Sequence, residues 1–498
     1  MCFDPPERRI ADSSPVTVVD LILEQATAQP DHPAIVTAGE PDSVITYAEL
    51  AARVRSRTDA LQRAGLQHAE RCGLVAQQGP GFIEAALAIM ATGACVVPIP
   101  DDLSGIPLET FANRAYLHKL VLEREDFACR AFAPGAASAS GDRPPPEEEF
   151  RALEPAYLRF TSGTTSVRKG VVLSHETILR RLDGAQRGLS ILPEDKILWL
   201  LPMAHHFVVS ILLYLRHGAT VLLPKSSLAR DVLDLANRHG ATFLYASPYH
   251  YGLLAKDASA ARLDTTRLAI STAEGLRADT ADRFRARFGF PLVQALGIIE
   301  VGLSVLNRRA AARKPGALGE ALPDYRILFL DDNGAVLERA DAPERTGEIC
   351  IQGPGLFDAY LAPWIPAKNI VEPHGFRTGD QGWIDPDGDL HLAGRRANRI
   401  NMAGMKFFGE EVEAILDTHP GVRASRVFGQ EHPALGEIPV AEIVVTDPAH
   451  APGRRELLPF CREHLPAYKI PRQFRVVAKL PETATGKIQR SGASAGTV

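Results

Sequence analysis

The chain lacks the features that mark secreted, membrane-spanning or nucleic-acid-binding proteins. It has no uninterrupted apolar run of membrane-spanning length, and residues 1–10 carry charges and prolines instead of an apolar signal core. It also lacks a basic excess, because 55 Lys and Arg face 60 Asp and Glu, which gives a formal net charge of -5. We therefore expect no nucleic-acid partner, no membrane span and no secretion.

Cysteine is scarce and scattered. The six cysteines show neither the paired spacing of a zinc site nor the density of a disulfide scaffold: Cys2, Cys72, Cys95, Cys129, Cys350 and Cys461. A reducing, cytoplasmic location is the expectation that follows. What the chain does have is 498 residues, of which 45% are hydrophobic, enough to bury large cores in two to four domains.

Apolar runs bounded by turn residues alternate with amphipathic stretches, most clearly between residues 196 and 296. Five of these runs are predicted strands: Ile197–Leu201, Ala219–Leu223, Thr242–Ala246, Leu268–Thr272 and Leu292–Leu296. Helices are predicted over Leu228–His239 and Leu276–Phe288, each followed by a glycine that suits the left-handed C′ position. This alternation predicts a parallel sheet covered by helices.

The same pattern extends to both ends of the chain. Near the N-terminus, strands are predicted at Ala34–Thr37 and Val44–Thr46 and a helix at Tyr47–Ala64, whereas Pro134–Glu149 has the composition of an exposed linker. From about Ala397 the pattern becomes that of a small α+β unit. Its predicted elements are helix Glu410–Asp417, strands Ala424–Phe428 and Val440–Val445, and helix Arg454–His464.

A hydroxyl-rich, glycine-punctuated segment, Thr161-Ser162-Gly163-Thr164-Thr165-Ser166-Val167-Arg168-Lys169-Gly170, is the first candidate for chemistry. Such a segment exposes backbone N–H groups and short donors, which suits a triphosphate. A strand-like run follows it, and Ser174 is predicted to cap the next helix. The spacing differs from that of P-loop NTPases, which disfavours a kinase or GTPase. A Ser/Thr-rich surface turn is the alternative for this loop considered alone.

A second string near the C-terminus, Leu480 to Arg490, contains Gly486-Lys487. A cation here has an evident use if the upstream loop binds phosphates, because attack of a carboxylate on phosphorus brings two anions together. The two strings together predict activation of a carboxylate by ATP. Taken alone, Lys487 would be a solvated tail lysine.

With these motifs, the chain resembles the adenylate-forming superfamily of acyl-CoA and aryl-CoA synthetases, peptide-synthetase adenylation domains and luciferases. The resemblance covers nearly the whole chain. Further motifs occur in the family's order: Thr46-Tyr47-Ala48-Glu49-Leu50, Gly93 to Pro98, Leu201 to His206, Gly297 to Glu300, Gly347-Glu348-Ile349, Thr378-Gly379-Asp380, Gly394-Arg395 and Gly404.

The resemblance implies a fold and a domain plan. The fold class is α/β, with a large N-terminal domain of parallel-sheet subdomains and a small, mobile α+β C-terminal domain. Residues 1–394 would form the adenylating domain with the acyl and nucleotide sites, and residues 395–498 a lid domain that carries the catalytic lysine.

The resemblance also implies roles for individual residues. Lys487 would bridge the carboxylate and the α-phosphate, Glu300 would hold Mg²⁺ together with Thr165, and His206 would line the entrance to the acyl pocket. Asp380 would accept from the ribose hydroxyls beside Arg395. The nucleotide site would comprise Thr161, Ser162, Gly163, Thr164, Thr165, Lys169, Ala273, Glu274, Gly275, Leu296, Gly297, Asp380 and Arg395. Without the resemblance, these would be turn, surface and helix-initiating residues.

The acyl pocket is expected to be apolar. Amino-acid-activating relatives usually have an aspartate after the phenylalanine that corresponds to Phe207, whereas this chain has Val208, so a buried substrate ammonium would lack its counter-charge. An α-amino acid is therefore disfavoured. The expected pocket residues are His206, Val208, Val209, Tyr245, Ser271, Ala273, Ile298 and Leu303, any of which could instead be ordinary sheet core or, for the histidine, a structural group.

The chain departs from the family pattern at several positions. Ser166 and Arg168 replace Gly and Pro in the loop, Leu296 replaces an aromatic residue that stacks on adenine, Ile299 replaces a hydroxyl-bearing residue, and Ala397 replaces a polar hinge residue. The polar residues expected to do the chemistry are all present.

The resulting hypothesis is an ATP-dependent and Mg²⁺-dependent ligase that forms an acyl adenylate and then a thioester. A small aromatic acid is favoured as substrate. The thiol would come from coenzyme A or from the phosphopantetheine of an acyl carrier protein. Fatty-acid activation, carrier-protein loading and a catalytically weak nucleotide-binding partner protein are the alternatives.

Overall fold

The computed structural model describes residues 16–100, 107–132, 144–160 and 169–481. Within these ranges the helices are α1 (Val18–Leu23), α2 (Gln25–Ala28), α3 (Tyr47–Arg63), α4 (Pro80–Ala91), α5 (Leu108–Arg114), α6 (Glu147–Ala152), α7 (His175–Leu189), α8 (Met203–His206), α9 (Ile211–Arg216), α10 (Ala229–His239), α11 (Pro248–Lys256), α12 (Ala278–Phe288), α13 (Gly409–Leu416) and α14 (Arg454–His464).

The strands of the described residues form four sheets. In chain order they are β1 (Pro33–Thr37), β2 (Ser43–Thr46), β3 (Arg71–Val75), β4 (Cys95–Ile99), β5 (Lys119–Leu122), β6 (Ala128–Ala131), β7 (Pro155–Phe160), β8 (Gly170–Ser174), β9 (Lys196–Trp199), β10 (Thr220–Leu223), β11 (Phe243–Ala246), β12 (Leu268–Ser271), β13 (Val293–Ile298), β14 (Gly302–Leu306), β15 (Glu320–Ala321), β16 (Arg326–Leu330), β17 (Gly347–Gln352), β18 (Ala359–Tyr360), β19 (Ile365–Pro366), β20 (Phe376–Ile384), β21 (Leu390–Arg395), β22 (Arg399–Met402), β23 (Met405–Phe408), β24 (Val422–His432), β25 (Gly436–Val445) and β26 (Gln473–Val476).

The first sheet has nine strands in the order β15-β14-β13-β12-β11-β9-β10-β1-β2. Its six central strands run parallel, while β2, β14 and β15 pair antiparallel at the two ends. Parallel strands bring their carboxyl ends to one edge, so the segments that follow β9, β11, β12 and β13 meet there.

The second sheet has eight strands in the order β19-β18-β8-β7-β4-β3-β5-β6. Strand β7 ends at Phe160 and its antiparallel neighbour β8 begins at Gly170, so the sheet holds both ends of the predicted phosphate loop. Residues 161–168 of that loop lie outside the described residues.

The third sheet is antiparallel, in the order β16-β17-β20-β21. Its β20–β21 pair places Asp380 directly opposite Arg395. Three carboxylates at the far end of this pair, Asp385, Asp387 and Asp389, lie within 4.8 Å of one another. Lys314 Nζ contacts all three at 2.6, 2.6 and 2.9 Å, so an ammonium group neutralises this cluster.

Strands β22 to β26 and helices α13 and α14 form a separate small unit with its own buried core. The two longest strands, β24 and β25, pair over nearly their whole length, beyond the predicted Ala424–Phe428 and Val440–Val445. These findings confirm the α/β class with a small α+β C-terminal unit, although the boundary between residues 394 and 395 stays a prediction.

Local signals located most elements correctly. All five predicted strands between residues 196 and 296 are strands of the nine-stranded sheet, and Gly240 and Gly289 follow their helices with φ of 63° and 89°. Ser174 caps α7, with its Oγ accepting from the Thr177 N–H at 3.0 Å. The motif at Thr46 is in part a capping box, because Thr46 and Glu49 exchange side-chain to backbone hydrogen bonds.

The linker prediction was wrong at its C-terminal end. Glu147–Glu149 form the first turn of α6, where acidic side chains face the positive end of the helix dipole, and Phe150 anchors the helix in the core. Residues 134–143 of the predicted linker lie outside the described residues. Across the described ranges, no helix combines the length and the apolar character needed to cross a membrane.

His175, the first residue of α7, makes the fold sensitive to acid. Its ring is buried, both ring nitrogens lack hydrogen-bond partners among the described residues, and burial lowers its pKa to about 4. The unfolded chain, with an ordinary histidine pKa near 6.5, binds a proton that the folded chain excludes between these two values. The free energy of unfolding should therefore fall by roughly 3 kcal/mol as the pH drops from about 6.5 to about 4.

Denaturant unfolding at a series of pH values, on the wild type and on His175→Leu, measures this effect. The leucine variant should lose about this much of the pH dependence. If the free energy of unfolding depends on pH equally in the two proteins, His175 is not the source of the acid sensitivity.

Candidate active site

Glu300 lies in the turn between β13 and β14, and a buried arginine holds that turn in place. Arg181 of α7 donates from Nη1 to the Ile299 carbonyl at 2.6 Å, from Nη2 to the Glu300 carbonyl at 2.9 Å and from Nε to the Gly355 carbonyl at 2.5 Å. Burial lowers the pKa of Arg181 to about 10. Because all three contacts are to backbone carbonyls, Arg181 holds the turn without engaging the Glu300 carboxylate.

Glycines make room for this arginine. Gly302 has φ of 89° and Gly355 has φ of 72°, and an added Cβ would lie 3.2 Å and 2.6 Å from carbons of the Arg181 side chain. Both the backbone conformation and the close approach therefore require glycine at these two positions.

Tyr360 connects Glu300 to the end of the predicted phosphate loop. Its hydroxyl donates to Glu300 Oε1 at 3.1 Å, and Lys169 Nζ lies 4.5 Å from the centre of its ring. Burial, together with the neighbouring Glu300 charge, raises the pKa of Tyr360 well above its usual range. Tyr360 is thus a neutral donor, and the structure brings Lys169 and Glu300 to one place.

Asp380 and Arg395 form an ion pair on adjacent strands, with Nε of Arg395 3.2 Å from Oδ1 of Asp380. Asp380 is buried and Arg395 is exposed, so the pair lies at a surface with the carboxylate on the inner side. Gly379, with φ of 75°, has no heavy atom within 4 Å of an added Cβ, so open space adjoins the residue before Asp380.

The segment after β12 contains Ala273, Glu274 and Gly275. Ala273 has φ of 75°, a left-handed conformation that is uncommon for a residue with a side chain and is concentrated at functional sites. The Leu276 N–H donates to the Gln294 side chain at 2.9 Å, which ties this segment to β13. An added Cβ at Gly275 would face open space.

Strand β13 presents Leu296, Gly297 and Ile298 beside Leu303 of β14. The pairing register shifts between Leu296 and Gly297, and Gly297 is exposed while the other three side chains are partly buried. Ile299, which replaces the family's hydroxyl-bearing residue, is buried and packs in the main core.

Aromatic rings cluster around two residues of the expected acyl pocket, His206 and Tyr245. Trp199 and Tyr245 stack with their ring centres 5.1 Å apart and their planes 6° apart, and His206 meets both rings at 6.2 and 6.3 Å. Burial raises the pKa of Tyr245 to about 12, so this phenol also stays neutral.

Of the other expected pocket residues, Val209 is partly buried, whereas Val208 and Ser271 are fully buried. Val208 packs in the main core. The hydroxyl of Ser271 has no hydrogen-bond partner among the described residues.

Six predicted site residues lie outside the described residues: Thr161, Ser162, Gly163, Thr164, Thr165 and Lys487. Their roles stay predictions, as do the family-implied roles of the described site residues.

Ion pairs join the small unit to the third sheet around the predicted hinge. Asp332 accepts from Arg399 Nη1 at 2.8 Å and from Lys406 Nζ at 2.8 Å, and these cations hold the pKa of Asp332 well below its usual range. Arg396 Nη1 donates to Glu348 Oε2 at 2.8 Å. The sequence did not predict these contacts, because no local sequence motif links residue 332 to residues 399 and 406.

Comparison with known proteins agrees with this geometry. The family model described as AMP-binding enzyme matches residues 22–361, and the model for the AMP-binding enzyme C-terminal domain matches residues 411–487. The chain belongs to the AMP-binding enzyme family.

Similar proteins include the sulfoacetate–CoA ligase of Cupriavidus necator, which is 28% identical over 95% of this chain and 96% of its own length. The 4-coumarate–CoA ligase 1 of Oryza sativa subsp. japonica is 28% identical over 91% of this chain and 87% of its own length. Among solved structures, ATP-bound MatB from Rhodopseudomonas palustris superposes with a TM-score of 0.80 at 25% identity, covering 95% of this chain and 97% of that one.

This AMP-binding enzyme is accordingly an acid–thiol ligase of the acyl-CoA synthetase type, with ATP, coenzyme A and a small carboxylic acid as its reactants. The residues present also fit a magnesium ion. Tyr360 contacts only one carboxylate oxygen of Glu300, so the other remains open among the described residues and offers the hard oxygen ligand that Mg²⁺ prefers. A bound Mg²⁺ would help neutralise phosphate charge.

Tyr360→Phe tests the link between Tyr360 and Glu300. Loss of a hydrogen bond to a charged group should slow acid-dependent pyrophosphate release by about 10-fold or more and raise the Mg²⁺ concentration that gives half-maximal rate. Tyr325→Phe is the matched control, because that buried hydroxyl faces only the Val301 and Pro354 carbonyls, at 3.5 and 3.3 Å. Equal Mg²⁺ dependence in Tyr360→Phe and the wild type would show that the Tyr360 hydroxyl has no role at the metal site.

Asp332→Ala tests whether Asp332 restrains the small unit. Both of its ion pairs are partly exposed, so overall stability should change by less than about 1 kcal/mol. The small unit should nevertheless separate more often, and trypsin should cleave faster at Arg395, Arg396 and Arg399. The control is Asp341→Ala, which removes only a surface pair to Arg345. Unchanged cleavage at these three arginines would contradict the restraint.

Proposed function

We propose that this AMP-binding enzyme activates a small aromatic acid with MgATP and transfers the acyl group to coenzyme A. In the first step a carboxylate oxygen bonds to the α-phosphorus and pyrophosphate leaves. In the second step a thiolate sulfur bonds to the acyl carbonyl carbon and AMP leaves. The observation that carries the proposal is the meeting of Glu300, Tyr360 and Lys169, together with the stack of Trp199 on Tyr245 at the end of neighbouring strands.

Charge compensation assigns the roles in the first step. Two anions must approach each other, so fixed cations and an ordered metal ligand lower the barrier. Lys169 lies beside the Tyr360 ring, close to Glu300, and is proposed to face the phosphates. Lys487 is proposed to supply the second cation at the reacting carboxylate, while Asp380, with Arg395 beside it, accepts from the ribose hydroxyls.

The aromatic rings around His206 support an aromatic acid. The Trp199–Tyr245 stack and the edge of His206 form rigid walls, and planar rings pack well against such walls. The core position of Val208 leaves a substrate ammonium without a counter-charge, which argues against an α-amino acid.

The named relatives support coenzyme A as the acceptor and leave a range of acids. The names of two relatives specify 4-coumarate, an aromatic acid, and sulfoacetate, a short acid with a sulfonate. The phosphopantetheine of a carrier protein offers the same thiol, and is the alternative acceptor.

The second step requires the small unit to move. A turn near Arg395–Asn398 would withdraw Lys487 and bring the Gly404-Met405-Lys406 loop towards the thiol channel. Gly404 has φ of 86° and the Met405 side chain is 44% exposed, so this loop is free of the core. Such gating separates the two half-reactions in time.

Lys487→Ala tests the central assignment. With the best acid from a panel of aromatic and aliphatic acids, the variant should release pyrophosphate at least about 100-fold more slowly, because a preorganised cation facing the developing charge is lost. ATP binding, measured by calorimetry, should be largely retained.

The control for this substitution is Lys479→Ala, which removes the same charge eight positions upstream. Undiminished pyrophosphate release in Lys487→Ala would reject the role of this lysine. Absence of release with every acid in the panel would reject the ligase assignment for these substrates. Thioester formed with a carrier protein but not with coenzyme A would reassign the acceptor.

A further inference from the structure

Arg159 lies beside residues of the expected acyl pocket, and neither step of the proposed reaction uses its positive charge. It lies near the end of β7, on the same face of the strand as Tyr157. Its Nη1 donates to the His205 carbonyl at 2.5 Å, and the Tyr157 hydroxyl lies 3.4 Å from the Ala204 carbonyl. This face of β7 therefore covers α8, the short helix that carries His206.

The guanidinium group of Arg159 has few hydrogen-bond partners among the described residues. The bond to His205 is its one hydrogen bond among the described residues, its Nε is buried without a partner, and no described carboxylate lies within 4.0 Å of it. An arginine has five N–H donors, and the Nε and Nη2 groups form the edge that binds a carboxylate or sulfonate with two parallel hydrogen bonds. Among the described residues, no acceptor binds this edge of Arg159, and its Nε is buried.

The surroundings of Arg159 explain why this arrangement is costly without a ligand. Burial lowers its pKa, while Tyr157, Glu300 and Tyr245 act in the opposite direction. A partly buried cation with few hydrogen bonds destabilises the fold unless an anion compensates it. Glu300 does not fill this role in the structure, because its hydrogen bond goes to Tyr360 and it forms no ion pair with Arg159.

A second buried donor without a described partner lies on a neighbour of Tyr245. Trp199 Nε1 is buried and has no hydrogen-bond partner among the described residues, and its ring stacks on Tyr245, which also acts on Arg159. Buried indole N–H groups usually find an acceptor. Two unpartnered donors that border the same tyrosine are both suited to an acceptor-rich ligand.

We propose that Arg159 binds a second anionic group of the acid substrate, so that the enzyme prefers acids with a carboxylate or sulfonate besides the carboxylate that is activated. This inference rests on the proposed function and narrows its substrate class to aromatic acids with a second anion. Arg159 is then a specificity-determining residue that leaves the chemical step to other groups.

The test uses matched acids that differ in one anionic group: benzoate, isophthalate and 3-sulfobenzoate. The values of kcat/KM for pyrophosphate release are compared in the wild type, Arg159→Met and Arg159→Lys. The wild type should favour the acids with two anions by about 100-fold, since a site built to bind a polar group rejects analogues that lack it. Arg159→Met should reduce this preference to within a few-fold of unity, mainly through KM, and KM for ATP should not change.

Arg159→Lys should retain part of the preference, because lysine keeps the charge but lacks the planar pair of donors. Arg180→Met is the matched control, since that arginine is exposed on α7 and its ion pair in the described part of the chain is with Glu176, four residues away. Its preference should equal that of the wild type. Thermal unfolding of each variant identifies any that fail to fold. If Arg159→Met does not fold, the comparison of acid preference between the wild type and Arg159→Lys tests the role of Arg159.

The outcomes separate this inference from the proposed function. A wild type that releases pyrophosphate equally well with benzoate and with both dianionic acids would overturn the inference and leave the ligase assignment standing. Binding of the three acids, measured by calorimetry without ATP, tests the anion site independently of the ligase reaction. Arg159-dependent binding of isophthalate without pyrophosphate release from any acid would uphold the anion site and reject the ligase. Binding that is insensitive to Arg159→Met would overturn the anion site.

Discussion

The candidate site depends on one buried guanidinium group. Arg181 joins helix α7 to the turn that carries Glu300 and to the segment around Gly355 through three hydrogen bonds to backbone carbonyls. These bonds compensate the cost of burying a cation, and the two glycines at the contact leave space for its side chain. As a result the position of the Glu300 carboxylate is set by rigid secondary structure instead of by a flexible loop.

The charges around this fixed point fall into two groups. Pairs inside the large unit, such as Asp380 with Arg395, hold groups at the edges of sheets. Pairs between the large and small units, such as those of Asp332, are partly exposed and individually weak. This division suits the proposed mechanism, in which the metal and nucleotide ligands would stay in place while the small unit moves.

Much of the fold was predictable because the signals are local. Ser174 and Gly240 act within a few residues of themselves, and the strands around residues 196–296 follow from short apolar runs. The linker prediction was wrong at Glu147 because composition alone does not reveal that Phe150, one turn later, packs in a core built from distant strands. Local signals also left open which strands are neighbours.

The amino-acid order alone established the family, the fold class and the polar residue types, because ATP and carboxylate chemistry restricts those types to a few and the motifs keep a recognisable spacing. Packing in three dimensions determined the partners. Tyr360 and Glu300 form a hydrogen bond although they are 60 positions apart in the chain. Arg181 and Glu300 are 119 positions apart, and Arg159 and His205 are 46 positions apart. Such contacts arise only when sheets and helices dock, and no local period encodes which side chains then share a space.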